Sequence, residues 1–172
     1  MIWRAIKISS FSLAAAVLAG CAGYHLGPTN GEASGSRSVE ILPFNNQTMQ
    51  PRLGDSVTEA VRERVQTDGT FHLDTHGTAD IVITGTLSHY GREGLSFLNS
   101  DSFTPDNYRV GVVAHVVARE RSTGKLIFEK DIKGFTLLHT GTDLNSADRQ
   151  AMPLLAEDLA RNIIGLLAED KW

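Results

Sequence analysis

Apolar residues recur along this chain with two periods, and the changes of period mark the elements. From Leu53 the apolar positions Leu53, Val57, Val61 and Val65 return every four residues, with Ala60 beside them. Arg62, Glu63, Arg64 and Gln66 fall off that stripe. The spacing predicts an amphipathic helix closed at Asp68-Gly69. Pro51 suits its first position, where the missing N–H has no partner to lose. From Tyr108 the period is two. Tyr108, Val110, Val112, Ala114, Val116 and Ala118 share one face, and Arg109, Gly111, Val113, His115, Val117 and Arg119 share the other. This is the strongest predicted strand, Tyr108 to Glu120.

The weaker elements follow from the same patterns. Val39 to Phe44 is a short β-rich run, with Pro43 near its end. Thr70 to Asp74 reads as a short strand, and Ala79 to Tyr90 as a clear one around Ile81, Val82 and Ile83. Residues 91–107 read as a long polar connection interrupted by Leu95, Phe97, Leu98 and Phe103, and Gly91 to Gly94 as a turn. Arg121 to Lys125 is a hairpin turn, and Leu126 to Leu138 returns as a strand. Gly134 is expected to carry a bulge, because the apolar phase passes from Phe128 and Ile132 to Phe135 and Leu137. Met152, Leu155, Leu159, Ile163 and Leu166 form the stripe of a closing helix, with Ser146 as N-cap. Pro153 requires either a start near Met152 or a kink. The order β-α-β-β-β-α, with no internal repeat, predicts an α+β two-layer sandwich. About four strands form a mixed sheet, with both helices packed on one face.

Composition changes this picture mainly at the N-terminus. Arg4 and Lys7 precede an apolar run from Ile8 to Leu18, and Leu18-Ala19-Gly20-Cys21 follows. A positive start, a short apolar core and small residues before a cut define a secretory signal. A Cys after Leu-Ala-Gly is the lipobox pattern of bacterial lipoproteins, in which the thiol takes a diacylglycerol and the chain is cut before it. The run is too short to span a bilayer, which needs about 20 residues. Residues 1–20 are therefore expected to be a signal, 21–38 a lipidated Cys21 with a Gly/Ser/Pro-rich tether, and 39–172 one domain. The whole chain carries a net charge of −4, and loss of Arg4 and Lys7 takes it to −6 from 14 basic and 20 acidic residues. Such a chain is a poor partner for nucleic acid. Cys21 is the sole cysteine, so a lipidated chain forms no disulfide of its own.

Catalytic and metal chemistry find little support. Gly54-Asp55-Ser56 resembles the nucleophile block of one esterase family, but Ser56 falls inside the first helix and no Asp-x-x-His block supplies a base. His72 and His76 bracket Asp74 with metal-like spacing, yet on a strand and turn and without a third ligand. His115 reads as a half-buried packing residue, and His25 follows Cys21 too closely to belong to a folded site. No Walker loop, dinucleotide fingerprint or HExxH is present. A non-enzymatic protein without metal or free cofactor is expected, its modification being the diacylglycerol and acyl chain on Cys21.

Cys21-Ala22-Gly23-Tyr24-His25-Leu26 resembles the start of mature LPS-assembly lipoproteins of the LptE family. Val39 to Thr48, Leu53 with Thr58 to Val61, Ala79 to Gly85, Tyr108-Arg109-Val110 and Arg121 to Glu129 continue the resemblance in order. It implies a four-stranded sheet with two helices on one face. It also implies a non-catalytic protein on the periplasmic side of the outer membrane. There it sits largely within the LptD β-barrel, supports its assembly and helps deliver lipopolysaccharide. The strand Ile-Leu-Pro-Phe-x-Asn-x-Thr before a helix is also similar to periplasmic activators of peptidoglycan synthases and to TolB-N-like domains. Gly-Tyr-His after Cys21 and the arginine hairpin favour the LptE reading.

Three sets of residues are candidates for contact. Val113, His115 and Val117, between Arg109 and Arg119, form an uncovered sheet face suited to a partner. Arg119, Arg121 and Lys125 gather positive charge at the hairpin turn, where lipid phosphates are a natural target. Leu95, Phe97, Leu98 and Phe103 are candidates to meet acyl chains or the barrel wall.

Overall fold

The computed structural model describes the backbone of residues 35–98, 101–139 and 144–169, and the side chains of 35–95, 107–138 and 147–169. Cys21 and residues 22–34 of the expected tether lie outside the described residues, while its last four residues are described and Ser38 already belongs to a strand.

Eight elements follow one another: β1 (Ser38–Ile41), β2 (Asn45–Asn46), α1 (Leu53–Asp68), β3 (His72–Leu73), β4 (Ile81–Leu98), β5 (Asp101–Glu120), β6 (Leu126–His139) and α2 (Leu144–Glu169). The strands form one mixed sheet in the order β3-β1-β4-β5-β6, with β2 paired to β4. Strand β1 runs parallel to both β3 and β4, while β4, β5 and β6 form an antiparallel meander. The predicted α+β class holds, but the described residues hold six strands rather than four. Pro43 accounts for one of the two extra strands. The run predicted from Val39 to Phe44 breaks over Leu42 to Phe44 and resumes at Asn45, because proline has no N–H for the ladder.

Helix α1 buries the stripe expected of it, with Leu53, Val57, Val61 and Val65 all fully buried. It ends at Gly69, whose left-handed conformation lets its N–H donate to Val65 O at 3.3 Å. Helix α2 runs through Pro153 from Leu144, so the start near Met152 is set aside. Leu155, Leu159 and Ile163 are fully buried beneath it, with Ala151, Ala156, Ala160, Ile164 and Leu167 beside them. Both helices cover the same sheet face, which presents Val39, Ile41, Ile81, Ile83, Leu87, Val110, Val112, Ala114, Val116 and Ala118.

Two glycines let the layers meet. A Cβ on Gly85 would fall 2.1 Å from the Phe44 ring, and one on Gly134 would fall 2.9 Å from backbone atoms of Leu159. The Phe44 ring therefore fills the space above Gly85, and α2 rests on β6 at Gly134. Thr58 fixes the same corner. Its hydroxyl accepts from Phe44 N at 2.9 Å and donates to Gly54 O at 2.7 Å, so a buried polar group is satisfied twice. Asp80 clamps the start of β1 by accepting from both the backbone N and the hydroxyl of Ser38, each at 2.8 Å.

Two sequence expectations are corrected by the pairing. Residues 91–107 are not a loop: β4 and β5 continue as a long hairpin, with Gly91 opposite Gly111, Gly94 opposite Tyr108 and Phe97 opposite Pro105. Gly91 to Gly94 is accordingly strand, not turn. Gly134 carries no bulge, since β5 and β6 pair without a shift from Val112 and Gly134 through to Asn107 and His139. The apolar phase never slips. Gly134 and Leu138 stay on the covered face, and Phe135 and Leu137 lie on the other.

Candidate functional site

The face of the sheet away from the helices carries exposed apolar residues that the core does not account for. Strand β5 supplies its axis, with Arg109, Gly111, Val113, His115, Val117 and Arg119 in alternate positions, as the period predicted. Strand β6 adds Glu129, Asp131, Lys133, Phe135 and Leu137. A register shift between Leu87 and His89 puts His89, Gly91 and Glu93 of β4 on this face. Cross-strand rows then follow directly: His89, Val113 and Lys133; Gly91, Gly111 and Phe135; Glu93, Arg109 and Leu137.

The two halves of this face differ in chemistry. Towards the turn at Arg121 it is polar. His115 lies between two carboxylates, with Nδ1 at 2.8 Å from Asp131 and Nε2 at 3.2 Å from Glu129. The hydrogen bond to Asp131 first, and that to Glu129 after it, raise the imidazole pKa above its usual value. His115 is exposed and ion-paired, which corrects its reading as a packing residue. Towards the long hairpin the face turns apolar and cationic. Phe135 is 53% exposed, Leu137 63% and Leu95 45%. The Arg109 guanidinium lies over the Phe135 ring, 5.4 Å from its centroid. A depression of about 440 Å³ opens here, lined by His89, Gly91, Arg109, Gly111, Val113, Lys133 and Phe135 among others.

The hairpin turn is more tied down than its charges imply. Arg121 pairs with Glu40, its Nε donates to Ala79 O at 3.1 Å, and its backbone N donates to Asp80 O at 2.8 Å. It pins the turn to β1 and β4. Arg119 reaches Gly124 O at 3.5 Å, and Lys125 is exposed. This turn and Leu95 sit at opposite ends of the sheet. Gly94 pairs with Tyr108 and Ile81 with Glu120, so about 40 Å of strand separates them at ~3.3 Å per residue. The hairpin cations and the apolar hairpin residues are thus not one site. The side chains of Phe97, Leu98 and Phe103 lie outside the described residues.

The residues that sequence reasoning missed are Lys133, Phe135 and Leu137. Strict alternation from Phe128 through Ile132 and Gly134 would have put all three on the open face, opposite Val113, Gly111 and Arg109 in turn.

A second concavity of about 700 Å³ lies between the helices. Asp55, Ser56, Glu59, Glu63 and Glu157 line it, and no histidine does. Ser56 sits in the first turn of α1, its backbone N donating to Arg52 O at 3.0 Å. His72 and His76 are both exposed. Asp74 between them accepts from His76 N at 2.7 Å and from Thr78 N at 2.7 Å. Among the described residues no group of three or more His, Cys, Asp or Glu is placed to hold a metal ion. No described helix is long and apolar enough to cross a membrane.

The fold recurs in solved structures. Protein CT253 of Chlamydia trachomatis superposes with a TM-score of 0.58 at 14% identity, covering 81% of this chain and 98% of its own. Protein XCC0632 of Xanthomonas campestris superposes with a TM-score of 0.57 at 10% identity, covering 84% of this chain and 92% of its own. At these identities the likeness is one of fold. No curated protein matches the sequence. The profile of the LptE family, described as lipopolysaccharide-assembly, matches residues 36–166, which spans β1 to most of α2. The chain therefore belongs to the LptE lipopolysaccharide-assembly family, a non-enzymatic lipoprotein family.

Proposed function

We propose that this protein is a lipoprotein of the outer membrane, anchored through Cys21 on the periplasmic side, that supports assembly of an LptD-type β-barrel and helps deliver lipopolysaccharide through it. Family membership over residues 36–166 is the observation that carries this reading. The geometry supports it in two ways. Among the described residues one whole face of the sheet has no covering layer and exposes Phe135 and Leu137, as a face does that is completed by a partner. The long β4–β5 hairpin extends the sheet past β1 and β2, which gives that face its reach. At the other end Lys125 and Arg119 are the turn cations available to a lipid phosphate, since Arg121 is engaged by Glu40 and Ala79.

Anchoring uses two acyl attachments on one residue, which is stable where a single chain is marginal. The test is to replace Cys21 and follow both membrane and partner. The parent is expected in the outer-membrane fraction, bringing the barrel with it on purification. Cys21→Ser is expected unprocessed or released from that fraction. Normal processing and fractionation of the variant, or co-purification of the parent with a penicillin-binding protein in place of the barrel, would overturn the reading.

A further inference from the structure

We propose that Gly91 and Gly111 form a socket on the open sheet face that takes a flat aromatic side chain of the partner protein, with Arg109 and Lys133 holding a carboxylate beside it. The proposal deepens the function proposed above and rests on it.

Gly91 and Gly111 stand directly opposite one another in the middle of the β4–β5 ladder. Neither has a positive φ. Glycine in a strand interior costs stability and offers no side chain to pack, and it marks places where another group comes close to the backbone. Gly85 and Gly134 have such a neighbour inside the molecule, in the Phe44 ring and the backbone at Leu159. Gly91 and Gly111 do not. A Cβ on Gly111 would meet Gly134 O at 3.7 Å, an ordinary contact. One on Gly91 would meet the imidazole of His89 at 3.0 Å, and that side chain is exposed and free to turn. The molecule has room for side chains at both positions and carries none.

The surroundings say what approaches. The floor is bare peptide, and Val113 and Phe135 flank it. Paired glycines in an antiparallel sheet are well covered by an aromatic ring lying flat across them. Phe135 stands opposite Gly111 on the β6 side, and among the described residues no strand pairs with β4 beside Gly91. Among the described residues neither Arg109 nor Lys133 is in an ion pair, although both border the depression. Two unpaired cations beside a flat uncharged floor suit an aromatic residue with Asp or Glu next to it, and such anchors dominate protein interfaces. An acyl chain is the poorer fit. It needs a long apolar trough, whereas here the floor is polar peptide and Glu93 borders the depression.

The experiment uses the full-length chain co-expressed with the LptD-type barrel. Three quantities are read for each variant: barrel co-purified, urea midpoint of the free protein, and binding of lipopolysaccharide. Gly111→Val should leave the midpoint unchanged or higher, because a β-branched residue favours a strand. It should reduce the barrel co-purified by about tenfold or more, the loss of one anchor. Gly91→Ala should act in the same direction with a smaller loss, and Lys133→Glu should weaken the complex without adding bulk to the floor. Parental co-purification by Gly111→Val at parental stability would overturn the socket and leave the proposed function standing. A parent that brings down no barrel would overturn that function, and the socket with it. A lower midpoint for both glycine variants would make the glycines structural and overturn the socket. Loss of lipopolysaccharide binding with the barrel complex intact would assign the depression to lipid, and so overturn it too.

Discussion

The two faces of the β4–β5–β6 meander are built from the same alternation yet obey different rules. On the face under the helices each side chain has a fixed neighbour. Val110, Val112, Ala114, Val116 and Ala118 are buried in unbroken sequence, and the glycines there are sites of close approach. On the open face Val113 and Val117 are half-buried, Phe135 and Leu137 are exposed, and a Cβ on Gly91 or Gly111 would meet only the exposed His89 ring at 3.0 Å or Gly134 O at 3.7 Å. A residue on the covered face is held by the fold, whereas one on the open face answers, in the function proposed above, to the partner. The same substitution should therefore act on stability on one side and on association on the other.

The largest effect is expected where the layers touch. Gly134→Ala would drive a methyl group against the Leu159 backbone, which has no way to yield without moving α2. Overpacking of this kind costs about 3 kcal/mol, read as a lower urea midpoint with the slope unchanged. A neutral result would mean that α2 does not rest on β6 as described. Next comes the buried hydroxyl. Thr58→Val keeps the shape but leaves Phe44 N–H unsatisfied, at a cost of about 1–3 kcal/mol. A cost no larger than that of an exposed substitution would show that water reaches this corner.

A smaller effect separates the two ends of the open face. The hydrogen bonds from Asp131 and then Glu129 raise the His115 pKa in the folded state above the usual 6.5. A raised folded value contributes stability that is fully present below the unfolded value and is lost as pH rises through the folded one. The parent should accordingly lose more stability than His115→Gln as pH climbs from below 6.5 through the neutral range. The difference is small, because the pair is exposed and screened. Parallel pH profiles for the two proteins would show that the carboxylates do not hold the imidazolium.

Much of this contrast was legible in the sequence. The alternation from Tyr108 to Arg119 assigned the central strand to its two faces, and the four-residue recurrence from Leu53 to Val65 gave α1 its buried stripe. The extension of β4 and β5 was not legible. Gly91, Gly94, Asn107 and Pro105 are poor strand formers by themselves. They are held in strand by the neighbouring ladder, with register shifts near Ser96, Phe97 and Leu98 absorbing Pro105. Phe135 and Leu137 misled for a related reason. Apolar residues ordinarily seek the core, so two of them on the open face mimic a slip of phase at Gly134. Pairing across the β4–β5 hairpin, and an apolar residue left on the open face, both lie beyond local pattern. Arg121 was legible as a charge, but its engagement by Glu40, 81 positions earlier, depends on β1 and the hairpin turn coming together.

The claim that the open face belongs to a partner is tested most directly at Val113, half-buried at the centre of that face. Val113→Asp places a charge there without touching the covered core. The measurement is the amount of LptD-type barrel co-purified with the variant, set against its urea midpoint. The account predicts a near-parental midpoint with most of the barrel lost. Parental recovery of the barrel, or a loss that only follows a fall in stability, would contradict it.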